Sequence, residues 1–463
     1  MKMAAGTTLR HCLRSLLYDQ RLMAFARKLL RPFPGLEEEG RVLVYRLKKF
    51  ANERRQTPLM QSSPATREGH TRQLLFDVSE LALKDIHTGI QRVVRALLGE
   101  LLRNSPPGFC VRAVRADADG RLLYADKFTA EFLNQKVVEP ADDPVEITVG
   151  DIFFSADLYL HFPFPVLQSL RAQGLRVIYT IHDLIPLQYN TSPRALRLAF
   201  SDWLENVLAV ADAVVCISRS VADEAFDWLL AHPDLRQAPL PIGWFHLGAD
   251  LQSSKPTAGM SGSDEALLAQ LRDFRSFLMV GTIEPRKGHA QALDALETLW
   301  AQGEDINLVI VGKEGWRNHD LVHRLRHHPE RDRRLFWLER ASDDLLLRLY
   351  AQSTALLAAS FAEGFGLPLI EAAHHGLPII ARDITVFREV AGDHAFYFPN
   401  DRNPEHLADA ILHWLVLHAE GRAPQSRNMP FLTWAGSNRK LLHVILENDW
   451  YTTYHPAKTK QKN

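Results

Sequence analysis

The run Ala355-Leu356-Leu357-Ala358-Ala359-Ser360 is short, apolar and followed at once by Gly364, Gly366 and Pro368. An apolar run of this length reads as a strand buried on both faces, which belongs in a parallel sheet. Pro368 stands where a helix would start, at the first-turn position that proline tolerates best. A strand, a glycine-bearing turn and a helix start leave backbone N–H groups aimed at an anion. Gly364 and Gly366 lack Cβ atoms, so a ligand can approach the main chain there. With Pro368 opening the helix, Glu371 lies at the end of its first turn and Glu363 on the loop side of the same mouth. Two carboxylates around a bound phosphate suit the hydroxyls of a sugar nucleotide. In isolation, the same pair reads as a helix-dipole carboxylate and a solvated loop charge.

The neighbouring chain places this stretch in a larger pattern. Apolar runs at 277–282, 306–312, 335–338, 355–360 and 377–381 alternate with helical periodicity, which predicts a doubly wound sheet. Its first loop contains Gly281, Glu284, Pro285, Arg286, Lys287 and Gly288. A glycine closing a strand, with Arg286 and Lys287 at the sheet's C-terminal edge, suits a diphosphate. Arginine supplies a planar fork of donors and lysine a compact charge.

An earlier series of strands is expected at 74–78, 111–116, 151–155, 176–182 and 213–218, with helical patterns such as 193–210 between them. The stretch 244–250 is expected to end this first sheet. After its first strand, Thr88-Gly89-Ile90-Gln91-Arg92 opens a helix with glycine and arginine in its first turns, again an anion-binding pattern. His182 falls at a strand's C-terminal end, the edge where open α/β sheets bind ligands. A histidine there also serves as a buried hydrogen-bonded residue, and Asp183 as a turn cap.

Charge and composition narrow the function classes. The formal net charge is −1, so no global field recruits nucleic acid. The three cysteines, Cys12, Cys110 and Cys216, form no metal or disulfide pattern and fit a reducing, cytoplasmic compartment. No apolar run reaches the roughly 18 residues of a membrane span. Residues 1–56 carry 13 basic side chains against 5 acidic ones. Leu9, Leu13, Leu16, Met23 and Leu30 recur at helical spacing there, and 41–55 reads as a second helix behind the break at Pro32 to Gly35. Such a segment either attaches to an anionic membrane surface or packs on the main body. A polar linker is expected at 56–71 and an interdomain linker at 253–264. Helices are expected at 403–417 and 431–447, and the tail from Tyr451 reads as basic and disordered.

Five strings in order make the pattern specific: 88–92, Ile181-His182-Asp183, 211–218, 280–288 and the Glu363–Glu371 stretch. Together they resemble family 4 glycosyltransferases, retaining enzymes of the GT-B fold, mannosyltransferases among them, over about 74–446. The resemblance implies an α/β protein of two Rossmann-like doubly wound domains facing across a cleft, behind an N-terminal helical extension. The expected bounds are 1–71 for the extension and linker, 72–252 for the acceptor domain and 265–430 for the nucleotide-sugar domain. A C-terminal helix over 431–450 would cross back to the first domain. Lys287 and Arg286 would neutralise the donor diphosphate, with Gly281 in their loop and Gly89 approaching from the other domain. Glu371 would hold the ribose hydroxyls, Glu363 would contact the donor sugar, and His182 would sit near the reacting ring. The N–H groups of Phe365, Gly366 and Leu367 would close the anion pocket. No metal or other cofactor is expected beyond the nucleotide-sugar donor; the acceptor is a glycan or lipid-linked sugar. Many relatives carry arginine where this chain has Thr282, which leaves the division of labour between Arg286 and Lys287 open. The implied activity is hexosyl transfer in surface polysaccharide or lipopolysaccharide synthesis, at the cytoplasm or the inner face of its membrane. The alternatives are an epimerase- or phosphorylase-like enzyme of the same fold, or a catalytically silent scaffold.

Overall fold

The computed structural model of the chain describes residues 34–53, 71–86, 88–117, 119–135, 142–189, 192–250 and 259–456. The first expected amphipathic helix and nearly all of the 56–71 linker lie outside them. The strands are β1 (Arg72–Asp77), β2 (Phe109–Ala116), β3 (Leu122–Tyr124), β4 (Ile152–Ser155), β5 (Arg176–Ile181), β6 (Ala213–Cys216) and β7 (Leu240–Trp244). There follow β8 (Arg275–Val280), β9 (Ile306–Val311), β10 (Leu335–Leu338), β11 (Ala355–Ala358), β12 (Ile379–Arg382), β13 (Phe396–Phe398) and β14 (Thr452–Tyr454).

Two sheets form, in the orders β14-β7-β6-β5-β4-β1-β2-β3 and β10-β9-β8-β11-β12-β13. All neighbours are parallel except β3 on β2 and β14 on β7. The apolar runs explain this. Along β5 and β6, Ile178 and Val215 face one core while Val177, Tyr179 and Val214 face the other. Both faces are therefore apolar, which requires cover on both sides and parallel crossovers. In the second sheet Leu278, Val309 and Leu356 face the core shared with the first unit, and Phe277, Leu308 and Leu357 the outer one. Each such side chain removed from water contributes about 1.5–3 kcal/mol before entropy is counted. Strand order reverses between β1 and β4 in one sheet and between β8 and β11 in the other. Those reversals open a crevice beyond the strand C-termini, where ligands lodge in this class of sheet.

The helices that position the site are α1 (Pro34–Glu53), α2 (Gly89–Arg103), α3 (Arg194–Val210), α4 (Arg219–Ala231), α5 (Gly262–Leu271), α6 (His289–Ala301), α7 (Leu367–His374), α8 (Thr385–Ala391) and α9 (Trp434–Glu447). Helix α1 starts on the break itself, since Pro34 costs nothing in a first turn. It packs on α3: Val42 is buried, Tyr45 donates to the Asp202 carboxylate, and Lys49 pairs with Asp202 at 2.7 Å. Glu38 accepts from the Arg194 backbone N–H at 2.8 Å and from Arg317 of the second unit at 2.8 Å. Helix α9 returns to the first sheet, where Ser437 donates to the His246 carbonyl at 2.7 Å and Arg176 to the Ile445 carbonyl at 3.0 Å.

Three expectations are corrected. The sheet-ending strand is β7, upstream of 244–250, because Pro241 and Gly243 disguise it; it pairs through Ile242 with Val214. The segment from Tyr451 is ordered through residue 456: Thr452–Tyr454 adds a strand and buries Tyr454, as its β-branched and aromatic residues favour. The stretch 253–264 is not linker throughout: Ser261 and Asp264 form a capping box that starts α5 at Gly262, so part of what reads as a Ser/Gly linker is a helix start.

Among the described residues, no helix is long and apolar enough to cross a membrane, and no group of His, Cys, Asp or Glu side chains is arranged to hold a metal ion.

Candidate active site

The reversal between β8 and β11 brings two loops together. After β8, Gly281 donates its N–H to Val311 at 2.9 Å, and Pro285–Lys287 makes a tight turn ending at Gly288 with φ 73°. A Cβ on Gly288 would stand 2.2 Å from the Ala359 carbonyl oxygen, so the loops cross only because glycine is there. The Phe361 N–H donates to the Arg286 carbonyl at 2.7 Å, lacing one loop to the other.

This crossing places Glu363 under both cations. Lys287 Nζ lies 2.5 Å from Glu363 Oε1, and Arg286 Nη1 lies 3.1 Å from Oε2. Ser360 donates to Oε1 at 2.7 Å. Arg286 Nη1 also donates to the Ala362 carbonyl at 3.0 Å, and its Nε to Glu284 at 2.9 Å. Burial alone would raise the Glu363 pKa, but Lys287 and Arg286 outweigh it and hold the carboxyl at about 2. Burial pushes Glu284 upward despite Arg286. His289, at the start of α6, is driven down to about 3 by burial and then by Lys287 and Arg286, so its ring is neutral.

The chain then turns through Gly364 to Gly366 (φ 94°), which caps α7. Among the described residues, no backbone carbonyl accepts from the N–H groups of Phe365, Gly366 or Leu367. These are the donors that a helix start leaves to a ligand. Glu371 is 2% exposed in the second turn of α7. Its Oε1 takes Arg92 Nη1 of α2 at 2.5 Å, and its Oε2 takes the Tyr350 hydroxyl at 2.6 Å.

The first unit closes on this loop. Ser218, the N-cap of α4, donates to the Gly364 carbonyl at 2.7 Å, and Tyr189 donates to the Phe361 carbonyl at 3.1 Å. Glu389 of α8 accepts from the backbone of Arg219 at 2.7 Å and of Ser220 at 2.8 Å, and from His246 at 2.8 Å. Burial would raise the Glu389 carboxyl, yet these donors hold it at about 2. His182 follows β5, but its Nε2 lies 2.8 Å from the Ala156 carbonyl. A carbonyl only accepts, so Nε2 carries the proton and Nδ1 remains an acceptor. Burial lowers the His182 pKa and keeps the ring neutral. Asp183 beside it accepts from the Ile185 N–H at 3.0 Å; burial raises its pKa, and Arg286 pulls it back.

Of the residues singled out in the sequence, Gly281, Arg286, Lys287 and Glu363 form one cluster. Phe365, Gly366, Leu367 and Glu371 form the adjoining mouth. His182 meets the Gly364 turn through its main-chain carbonyl, while its ring is held at Nε2 by the Ala156 carbonyl. Gly89 opens α2 behind a Thr88–Gln91 capping box, and a Cβ built on it would meet nothing within 4 Å. Sequence reasoning missed Glu284, Ser360, Tyr350 and Ser218, and gave Asp183 only as a cap. Glu284 and Ser360 were legible as neighbours of the motifs; Tyr350 carried no local signal.

Residues 269–428 match the glycosyl transferases group 1 family. The serotype-specific mannosyltransferase WbdA of Escherichia coli is 44% identical over 379 residues, 81% of this chain and 46% of that protein. The chain thus spans about half the length of the curated relatives it matches. Among solved structures, sucrose-phosphate synthase from Thermosynechococcus elongatus aligns with 81% of this chain and 99% of its own at a TM-score of 0.56 and 17% identity. Anabaena HepE in complex with UDP and glucose aligns with 81% of this chain and 95% of its own at 0.51 and 17%. These likenesses carry the fold, which is GT-B. Residues 269–428 therefore carry the group 1 glycosyl transferase match, within a chain that is similar to a mannosyltransferase along most of its own length.

Proposed function

We propose that the protein transfers a hexose from a nucleotide-diphosphate sugar to a glycan or lipid-linked acceptor, in surface polysaccharide or lipopolysaccharide synthesis. The similarity to a mannosyltransferase makes mannose the first sugar to test. One observation carries the reading: Lys287 and Arg286 converge on buried Glu363, beside the unpaired N–H groups of residues 365–367 and within one loop of Glu371.

In this reading the diphosphate takes the α7 N–H groups and draws Lys287 and Arg286 from Glu363. Departure of the nucleoside diphosphate from the anomeric carbon builds charge on phosphate oxygens, and fixed cations and dipoles stabilise it there. Glu363, released from its cations, turns to the sugar hydroxyls. Glu371 takes the ribose hydroxyls. His182, neutral and fixed by Ala156, packs beside the reacting ring and offers Nδ1 as an acceptor. The paired cations supply the charge that a metal would otherwise bring, so transfer needs no metal, and the anomeric configuration is retained. The basic N-terminal residues hold the enzyme at an anionic membrane surface on the cytoplasmic side.

Thermal melting with GDP, UDP and dTDP identifies the base, since a ligand that binds the native state raises the melting temperature. Incubation with the matching sugar nucleotide and an acceptor glycan should then yield nucleoside diphosphate and an extended glycan. No stabilisation by any of the three would sink the reading.

A further inference from the structure

We propose that Arg92 is a further donor-binding residue, paired with Glu371 and passing to the donor's diphosphate when the ribose takes Glu371. The inference rests on the reading of Glu371 given above.

Arg92 sits in the first turn of α2, on the first unit, while Glu371 belongs to the second. Its Nη1 is 2.5 Å from Glu371 Oε1, and its Nη2 is 3.6 Å from Asp343 Oδ1. Tyr350 holds the other Glu371 oxygen at 2.6 Å. The carboxylate that should grip a ribose is therefore engaged on both oxygens by the protein itself. A ribose hydroxyl can replace Arg92 as a donor to Glu371, but it brings no charge. The guanidinium it displaces loses its main partner in a largely buried place, which is costly unless another anion replaces the carboxylate.

The donor carries that anion. Arg92, Arg286 and Lys287 face Glu284, Glu363 and Glu371, with Asp343 beside Arg92 and Asp183 near Arg286, so carboxylates already hold all three cations. A diphosphate entering this cluster must share them. Lys287 and Arg286 hold Glu363 between them and Arg286 holds Glu284 as well, whereas Arg92 is released as the ribose covers Glu371. Its planar fork matches two phosphate oxygens, as a lysine's point charge does not. The open space around Gly89 leaves room for phosphate beside the same helix start. Because Arg92 and Glu371 lie on opposite units, the exchange also ties cleft closure to a donor that bears both ribose and diphosphate.

The test is calorimetric titration of the full chain with GDP, GMP, UDP and UMP. In the wild type, the cognate diphosphate should bind more tightly than its monophosphate. Arg92→Gln keeps a hydrogen-bond donor for Glu371 but removes the charge. It should cut the preference for diphosphate over monophosphate about tenfold, and Arg92→Lys should restore part of it. Arg92→Ala, measured alongside, should lose the preference too and serves if the glutamine variant does not fold. A preference unchanged in these variants, or equal weakening of both nucleotides, would overturn the inference and leave Arg92 as a structural partner of Glu371. If the wild type binds neither diphosphate, or if Glu371→Gln leaves every affinity unchanged, the donor-site reading itself fails, an outcome distinct from the Arg92 comparison.

Discussion

The carbonyl oxygen of His182 occupies the space that a side chain on Gly364 would need: a Cβ there would lie 2.0 Å from it. The obstacle is backbone on both sides, so no rotamer change relieves it. Gly364→Ala should force the β5 loop and the Glu363 loop apart and strain the Ser218 hydrogen bond to the Gly364 carbonyl. Overpacking of this kind costs about 1–3 kcal/mol. A lower melting temperature, with turnover falling more than nucleotide affinity, is expected from paired melting and kinetic measurements. Unchanged turnover would show that the contact between the units is dispensable.

Glu363 and its two cations give a second test. Glu363→Gln leaves Lys287 and Arg286 without their carboxylate, so nucleoside diphosphate should bind at least as tightly while kcat falls about a hundredfold. Lys287→Ala should weaken binding and lower kcat together, because one charge serves both the bound donor and the leaving group. Steady-state kinetics on the two variants separates these signatures. If Arg286→Ala abolishes activity while Lys287→Ala is silent, the diphosphate role moves to Arg286. The Glu363 pKa, held near 2, also fixes a sign: its stabilising contribution is present above the ordinary carboxylate range and is lost only as pH falls toward 2. The acid limb of the kcat/KM profile, which reports the free enzyme, should therefore not arise from Glu363.

At the β1/β4 reversal of the first sheet lie two buried carboxyls. Asp77 accepts from Ser79 Oγ at 2.5 Å and Ser155 Oγ at 2.8 Å; Asp157 accepts from the N–H groups of Glu80 at 2.9 Å and Leu81 at 2.8 Å. Burial raises both, to about 6 and about 7, and Asp77 adds to the shift at Asp157. A carboxyl whose folded pKa is raised contributes stability that is fully present below its unfolded value. That contribution is lost as pH rises through the folded value. The native protein should therefore lose stability between about pH 4 and pH 7 from this pair. Asp77→Asn keeps an acceptor for Ser79, and Ser155 can accept from its amide. Its stability relative to wild type should improve across that window by on the order of 2 kcal/mol. Chemical denaturation at pH 5 and pH 8 measures the difference; an equal difference at both would mean that Asp77 does not titrate there.

What the sequence disclosed follows a physical division. Strands such as β8, β9 and β11 are continuous apolar runs, so their positions and the doubly wound class were legible. The Glu363 and Lys287 loops were legible because glycine, proline and charge sit together at strand ends. Strands β3, β13 and β14 are three residues each, too short for an alternation to register, and are held by pairing with a neighbour. The α5 start was hidden because the Ser and Asp of a capping box have the composition of a linker. The pairing of Arg92 with Glu371 joins residues on opposite units and depends on how the units close, while the His182 ring meets the Ala156 carbonyl across two neighbouring strand ends of one sheet. One-dimensional spacing carries no information about either.

The N-terminal segment supplies the last prediction. Seven basic residues against one acid precede Pro34, so most of the local positive excess lies before α1. Helix α1 itself is committed to the body through Val42, Tyr45, Lys49 and Glu38, yet Leu43 is 58% and Leu47 39% exposed along one side. Each Lys or Arg near an anionic leaflet contributes about 1 kcal/mol, enough in sum for reversible attachment. Removing residues 1–33 should release the protein from anionic liposomes in sedimentation while leaving its melting temperature and nucleotide binding intact. Removing residues 1–56 should also lower the melting temperature, because the α3 surface under Val42 and the Glu38 tie to Arg317 are lost. Raising the salt should weaken attachment of the full chain, since exposed charges are screened. A full chain that ignores anionic liposomes at low salt would sink the membrane reading, and α1 would then serve only as a brace between the two units.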